Sequence, residues 1–339
     1  MWWNKTVYSG ALSNYTYPRD IECGNLLQFL KKIDADKKVY LTDVIFYNNY
    51  PPAGYDMYIV CAFGEAVNEE YIRRLDEDLS RPNPVLITSQ LYDTTNYKRV
   101  RVFQLEHIHT IKRFFNKTEY NKLSVRTKTH GSLSRRTALH KTIITAKLLN
   151  KFRDNLNYSF CNLDGGATDL NKFYPGLMLT DDDTSTMESL QNNPVTVSGE
   201  QWDTDNIVYR DSKLIWTLES MFLSRHNEPV AYLTEKTIKS IITGSAFVLV
   251  SQQHSYKRLE DLGFKSVLKL NTDSQLDQER FNELFTLIDN YDFDELLSRP
   301  ETQEIVDYNY NYFWGAFYSH IEYRNRERIE AILDYINET

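Results

Sequence analysis

Residues 231–250 read AYLTEKTIKSIITGSAFVLV and contain the change of local structure on which the fold depends. The first three residues suit a strand, residues 237–243 have helical spacing, and the last five are an apolar run typical of a buried strand. Thr234 suits a helix N-cap and Gly244 the end of a helix. A strand, a helix and a second strand in this order predict part of a parallel α/β sheet.

The same alternation runs through the first third of the chain. A helix is predicted at 68–80, and strands are predicted at 39–47, 57–63, 84–89 and 98–104. Short proline-rich stretches between them are typical of loops. The N-terminal part therefore also reads as an α/β domain.

A second series begins near residue 122. We predict a strand at 122–127, a helix that Ser134 caps and that runs to about Phe152, and strands at 213–218 and 264–267. Residues 154–206 are rich in Asp, Asn, Thr and Gly, and we expect loops and short strands there. Two helical segments, 278–297 and about 304–337, end the sequence.

The length of 339 residues favours two domains over one. We expect an N-terminal α/β domain at 1–120, a second α/β domain at 121–300 and a C-terminal helical tail at 301–339 that packs back across the domains. Open α/β sheets bind ligands beyond the carboxyl ends of their strands, where Thr234 would lie.

Composition narrows the class of protein. The chain is 41% hydrophobic and 25% charged, which suits a globular protein. Its three cysteines lie far apart without metal-ligand spacing, which indicates reduced thiols. No run resembles a signal peptide or a membrane span, so we expect a cytoplasmic protein without a membrane partner.

The net charge of −8 is unevenly distributed. Residues 107–153 contain twelve Lys or Arg and one acid, which gives +11 and leaves −19 for the rest. Such a block suits an anionic partner such as a nucleic-acid backbone, and it also suits a solvated basic face that answers acidic surfaces elsewhere.

The junction itself offers charged groups to a ligand. Lys236 adds a positive charge to the electropositive helix N-terminus, which favours a diphosphate there. Glu235 is suited to accept hydrogen bonds from ribose hydroxyls. Alternatively, Glu235 only complements the helix dipole and Lys236 is solvated.

Motifs around the junction extend this interpretation. The sequence runs SKLIWTLESMF at 212–222, YLTEKTIKSIITGSAFVLVS at 232–251 and LEDLGFKSV at 259–267, and RRTALHK at 135–141 precedes them. These motifs, in this order, resemble GT-B glycosyltransferase-like proteins of large bacterial viruses, and the TEK segment is similar to the donor site of α1,3-fucosyltransferases. The pattern positions are Tyr209, Ser212, Glu219, Thr234, Glu235, Lys236, Thr237, Lys239, Phe247, Leu259, Gly263 and Phe264.

The resemblance covers roughly residues 123–270. The chain departs from the pattern at Lys141, where Arg is usual, and at Ala246, where Pro is usual. Nothing specific matches in the N-terminal third.

The resemblance implies two Rossmann-like domains facing a cleft, with a nucleotide-sugar donor in the C-terminal one. It implies that Glu219 and Glu235 contact the nucleoside, while Lys236 and Arg135 or Arg136 neutralise the diphosphate. His140 shares a helix face with Arg136, and the sequence leaves open whether it is a site residue or a packed histidine.

A glycosyltransferase also needs a group to deprotonate its acceptor. We expect this base in the N-terminal domain: Glu65 and Asp93 are the candidates, with Glu106 and His107 as rivals. Asp181–Asp183 is the best metal candidate, although a solvated acidic turn explains it as well. We expect no metal and no cofactor besides the nucleotide sugar.

The acceptor is predicted only by class. A hydroxymethylated base in phage-type DNA fits the viral resemblance and the basic block, and it would place the protein in a host cytoplasm. The alternatives are a glycan or protein acceptor, a non-catalytic nucleotide- or nucleic-acid-binding protein, and a structural virion component.

Overall fold

The fold was obtained as a computed structural model. It describes residues 7–9, 39–43, 55–62, 67, 69–88, 97–105, 115–117, 119–134, 138–161, 177, 179–193, 195, 206–220, 222, 231, 233–268, 270 and 276–339. The chain forms two compact units. Unit 1 comprises 1–110, 225–230 and 318–339, and unit 2 comprises 111–224 and 231–317.

Unit 1 contains a five-stranded parallel sheet in sequential order. Its strands are β1 (Val7–Ser9), β2 (Val39–Asp43), β3 (Met57–Ala62), β4 (Pro84–Thr88) and β5 (Arg101–Gln104). Every residue of β3 and β4 is buried, as expected of central strands covered on both faces.

Helices cover both faces of this sheet. Helix α1 (Glu69–Glu77) buries Ile72 and Leu75 on one face. The other face packs against Ile332 and Ile336, close to the C-terminal end of the chain. One face of the predicted final helix therefore forms part of the core of unit 1.

Unit 2 contains a four-stranded parallel sheet in the order β7-β6-β8-β9. Its strands are β6 (Lys128–Ser134), β7 (Leu156–Phe160), β8 (Ser212–Leu218) and β9 (Ala246–Val250). The α/β class and the two parallel sheets predicted from the sequence are confirmed.

The helices of unit 2 lie on both faces of its sheet. They are α2 (Leu139–Phe152), α3 (Asp181–Asn192), α4 (Ile207–Asp211), α5 (Glu235–Ile242), α6 (Ser255–Asp261), α7 (Asp277–Asn290), α8 (Phe293–Ser298) and α9 (Pro300–Tyr312). Trp216 of β8 packs with α2 and α7 in the core on one face. On the opposite face, Thr217 of β8 contacts Ser240 of α5, with 2.8 Å between the hydroxyl oxygens.

A short π-helix, Phe313–Phe317, joins α9 to α10 (Tyr318–Glu338). The segment that the sequence assigns to a tail, 301–339, is thus divided between the units at residues 317 and 318.

Three predicted strands are wrong. Residues 122–127 contain a 3₁₀ turn, and the strand begins only at Lys128. Ala231 and Leu233 are not in a strand, and neither are residues 264–267. Ser134 accordingly ends a strand and does not cap the next helix.

One helix was missed in the region predicted to be irregular. Thr180 caps α3 through a reciprocal capping box with Asp183. Asp183 is buried and forms an ion pair with Lys147, with 2.7 Å between the charged atoms. The run Asp181–Asp183 is therefore the first turn of a helix, in which Asp181 and Asp182 are exposed and Asp183 is buried.

None of the helices in the described residues is both long enough and apolar enough to cross a lipid bilayer.

Candidate functional site

The sheet of unit 2 reverses its strand order between β6 and β8. The chain passes from β6 to β7 on one side, then crosses back so that β8 pairs with the opposite edge of β6. In doubly wound sheets the crevice outside the carboxyl ends at such a reversal is where ligands bind. Here these ends are Ser134 and Leu218.

Helix α5 begins beside this reversal. Thr234 is its N-cap, and the Thr234 hydroxyl accepts a hydrogen bond from the Lys236 backbone N–H at 3.3 Å. Gly244 follows the helix with a φ of +61°, and a Cβ there would lie 2.0 Å from the Tyr120 ring. The predicted cap and the predicted glycine stop are both confirmed.

Glu219 connects the strand ends with this helix. Its carboxylate is completely buried and accepts hydrogen bonds from the Thr234 N–H, the Thr234 hydroxyl and the Thr237 hydroxyl. Its own N–H donates to the carbonyl of Val250 in β9 at 3.0 Å. One residue thus joins the ends of β8 and β9 to the first turn of α5. A nucleoside contact by this side chain stays a prediction.

His140 connects the backbone of Glu219 to helix α2. Its Nε2 lies 2.9 Å from the carbonyl oxygen of Glu219, so Nε2 carries the proton and donates. The ring stacks on Phe222 at 5.4 Å. Burial, together with the charges of Lys141 and Lys236, lowers the pKa of His140 to about 3. A neutral, packed imidazole of this kind positions the backbone. Whether His140 also contacts a ligand, which the sequence leaves open, is untested.

Glu235 and Lys236 stand in the first turn of α5. Nζ of Lys236 lies 2.8 Å from Oε1 of Glu235. Burial by itself would raise the pKa of Glu235, but the charge and hydrogen bond of Lys236 outweigh it and lower that pKa. The site therefore presents an ionised carboxylate and an ammonium group side by side at a helix N-terminus.

Several predicted residues lie outside the described part of the chain. In the sequence, Arg135 and Arg136 stand between β6 and α2. The candidate bases Glu65 and Asp93, with their rivals Glu106 and His107, belong to the sequence of unit 1. Their predicted roles are untested.

Comparison with protein-family models gives no match to the chain, and comparison with curated proteins gives none either. The resemblance to glycosyltransferases therefore rests on the motifs themselves.

Sequence reasoning gave no role to Ser220 or to the hydroxyl of Thr237. The Ser220 hydroxyl accepts a hydrogen bond from Nζ of Lys236 at 3.1 Å. Thr237 stands three residues after Thr234, on the same side of the helix, and this spacing indicates that the two side chains could share a partner. The sequence near the helix does not identify that partner, which is the carboxylate of Glu219.

Among the described residues, no three His, Cys, Asp or Glu side chains converge as metal ligands. A separate cavity of about 430 Å³ lies near the other end of α2, lined by Leu149, Arg153, Tyr158 and residues of α3. Since Leu149 is nine residues beyond His140, the cavity is displaced by roughly 13 Å along the helix axis from the junction.

Proposed function

We propose that the protein is a glycosyltransferase that moves a sugar from a nucleoside-diphosphate donor to a hydroxyl acceptor. The observation that carries the proposal is the position of Lys236 and Glu235. They begin a capped helix beside the strand-order reversal of a parallel sheet, where α/β proteins bind nucleotides. The GT-B-like arrangement of two domains around a cleft is part of the same proposal.

The chemistry requires charge neutralisation at the departing diphosphate. Lys236 supplies one full positive charge, and the N-terminus of α5 adds its partial charge. Lys141, whose charge also acts on His140, is a second cation in this neighbourhood. Glu235 is assigned to the ribose hydroxyls. The acceptor's proton is assigned to Glu65 or Asp93.

The acceptor we propose is a hydroxymethylated base in phage-type DNA, which the basic segment would approach through its phosphates. Only part of the positive charge of residues 107–153 is exposed and thus available for contact with DNA phosphates. Within 107–153, Arg126, Lys141 and Lys147 are buried inside unit 2, while Lys117, Lys122, Lys151 and Arg153 are exposed. A glycan or protein acceptor is the second candidate, because only four of the eight cations that the structure describes in this segment are exposed.

The test is a thermal-shift screen of nucleotide sugars, followed by measurement of nucleoside-diphosphate release from the best donor. Stabilisation by one donor class and slow hydrolysis of that donor are expected. If no donor shifts the melting temperature and no diphosphate is released, with or without acceptor, the enzyme proposal falls. A protein that binds donor without turnover would be the non-catalytic binding module.

Duplex binding distinguishes the acceptors. If the exposed cations meet DNA, affinity should fall steeply as salt is raised. Absence of binding at low salt would point to the glycan or protein acceptor.

A further inference from the structure

The cavity of about 430 Å³ in unit 2 lies between helix α2, strand β7 and helix α3. Its volume falls within the range of about 300–1,000 Å³ that is usual for small-molecule sites. None of the residues that the structure places around it belongs to the junction at Thr234. The ligand that suits this cavity therefore follows from the cavity's own lining.

The two helices that line the cavity are held together by a chain of polar contacts. Nζ of Lys147 lies 2.7 Å from the Asp183 carboxylate, and the side-chain nitrogen of Asn150 donates to the same carboxylate at 2.9 Å. The hydroxyl of Thr186, which lines the cavity, donates to the side-chain oxygen of Asn150 at 2.7 Å. Because these contacts fix the helices before a ligand arrives, the cavity is preformed, and binding to it costs less entropy.

Part of the lining is apolar. Leu149 and Leu190 are buried in the core of unit 2, and the half-buried Tyr158 packs against the same core. All three side chains line the cavity. They favour a ligand with an apolar face about as wide as a ring, such as the C–H face of a sugar. Inorganic phosphate has no such face.

Another part of the lining is a row of polar side chains along α3. Ser185 and Ser189 stand one helical turn apart, and Asn193 follows after one more turn. Within the residues that the structure describes, none of these three side chains has a hydrogen-bond partner. A hydroxyl group both donates and accepts, and a carboxamide carries donors and an acceptor. The row therefore matches a ligand with several hydroxyl groups.

The electrostatics of the cavity favour a neutral ligand. Arg153, an exposed residue directly after α2, contributes one positive charge and five N–H donors. The last turns of α2 and α3 also line the cavity, and the carbonyl groups at the end of a helix carry partial negative charge. Such carbonyls repel an anion but accept hydrogen bonds from hydroxyl groups. A ligand that offers both hydroxyl donors and neutral oxygens satisfies the guanidinium and the helix ends together.

We propose that this cavity binds a neutral sugar ring, which gives unit 2 a carbohydrate site separate from the junction. The C–H face of the ring lies on Leu149 and Leu190, and its hydroxyl groups form hydrogen bonds with Ser185 and Ser189. Arg153 donates to the oxygens of the ring. The proposal uses no residue of the nucleotide site, so it is tested independently of the proposed function.

The experiment is a ligand-observed NMR titration of the full chain with the methyl glycosides of glucose, galactose and mannose. Inorganic phosphate and glucose 6-phosphate serve as charged comparisons. At least one glycoside, a single ring with about a dozen non-hydrogen atoms, should bind with a Kd of roughly 1–10 mM. The two charged compounds should bind more weakly than that glycoside.

Variants of α3 locate the bound sugar. Ser189→Leu places an apolar side chain in the cavity and should abolish glycoside binding. The matched control is Glu188→Leu, which introduces the same side chain at an exposed neighbour outside the lining and should bind like wild type. The double variant Ser185→Ala/Ser189→Ala keeps the space open but removes two hydroxyls, and its Kd should rise about tenfold, which corresponds to about 1.4 kcal/mol.

Failure of all three glycosides to bind at about 50 mM would overturn the inference, and so would binding of the charged compounds alone. Equal glycoside binding by Ser189→Leu and wild type would also overturn it, because the sugar would then lie elsewhere. If Ser189→Leu lowers the melting temperature, the double alanine variant decides, since it adds no bulk. An unchanged Kd in that variant would contradict the proposal.

Discussion

Replacing Glu219 should loosen unit 2 at the place where β8, β9 and α5 meet. The carboxylate is fully buried and accepts three hydrogen bonds, from the Thr234 N–H and hydroxyl and from the Thr237 hydroxyl. Alanine would leave all three donors without this acceptor in a place that water reaches poorly.

The magnitude follows from these bonds. A hydrogen bond to a charged group contributes about 1.5–3 kcal/mol, and a buried donor left unpaired costs about 1–3 kcal/mol. Because one small network shares these bonds, the losses do not add fully, and we expect Glu219→Ala to cost about 4 kcal/mol. Glutamine keeps one carbonyl oxygen as an acceptor, so Glu219→Gln should cost about 2 kcal/mol.

The assay is urea denaturation followed by far-ultraviolet circular dichroism, with Glu188→Gln and Glu188→Ala as matched controls on an exposed helix position. The controls should stay within about 0.5 kcal/mol of wild type. Glu219→Ala within that same margin would refute the reasoning, since a buried carboxylate with three donors cannot be removed without cost. A larger loss for glutamine than for alanine would also contradict it.

Two further predictions concern buried cationic and titratable groups. The Arg126 guanidinium is buried and donates to the carbonyls of the loop after α5, and burial lowers its pKa to about 10. In urea denaturation, Arg126→Met should lower the free energy of unfolding by at least about 3 kcal/mol, whereas the exposed Arg153→Met should lower it by under about 0.5 kcal/mol. Equal losses for the two variants would contradict this prediction. Burial lowers the pKa of His130 and of His140 from 6.5 to about 3. Between these two pH values the unfolded chain binds more protons than the folded protein. As the pH falls through this range, the free energy of unfolding should therefore decrease by about 1 kcal/mol per pH unit for each histidine. Denaturation between pH 7 and 4.5 checks the slope, which His130→Phe should reduce by about half of the histidine contribution; an unchanged slope would count against it.

The α/β class and most strands were predictable because apolar runs such as AFVLV and MYIVCA are long and uninterrupted. Strand β6 was not, because KTHGSLS holds glycine, histidine and serines that disfavour strands. Its central place depends on tertiary packing: a side chain at Gly131 would lie 2.7–2.8 Å from atoms of Ser212 and Ile215. That requirement comes from residues some eighty positions away.

The false strand at 264–267 has a similar explanation. The backbone N–H of Lys265 donates to the side-chain oxygen of Asn309 at 2.8 Å, and its carbonyl accepts from the side-chain nitrogen at 2.7 Å. A single amide of α9 thus pairs the backbone as a neighbouring strand would. The strand propensity of residues 264–267 gives no indication that Asn309 is their hydrogen-bond partner.

The candidate site was predictable only where its features are local in sequence. The cap at Thr234 and the charges at Glu235 and Lys236 are local features of a helix start. The roles of Glu219 and His140 depend on contacts between residues 15 and 79 positions apart in sequence. Residue type and spacing alone gave them no partners.

The central claim is that Lys236 binds the diphosphate of a nucleotide. Calorimetric titration of the preferred nucleoside diphosphate into wild type and Lys236→Ala tests it most directly, with Lys151→Ala as the exposed control in the same unit. The account predicts that Lys236→Ala keeps the wild-type far-ultraviolet spectrum and loses about 1.5–3 kcal/mol of binding free energy, which is roughly ten- to a hundredfold in Kd. Equal affinity for the nucleoside diphosphate in wild type and Lys236→Ala would contradict it.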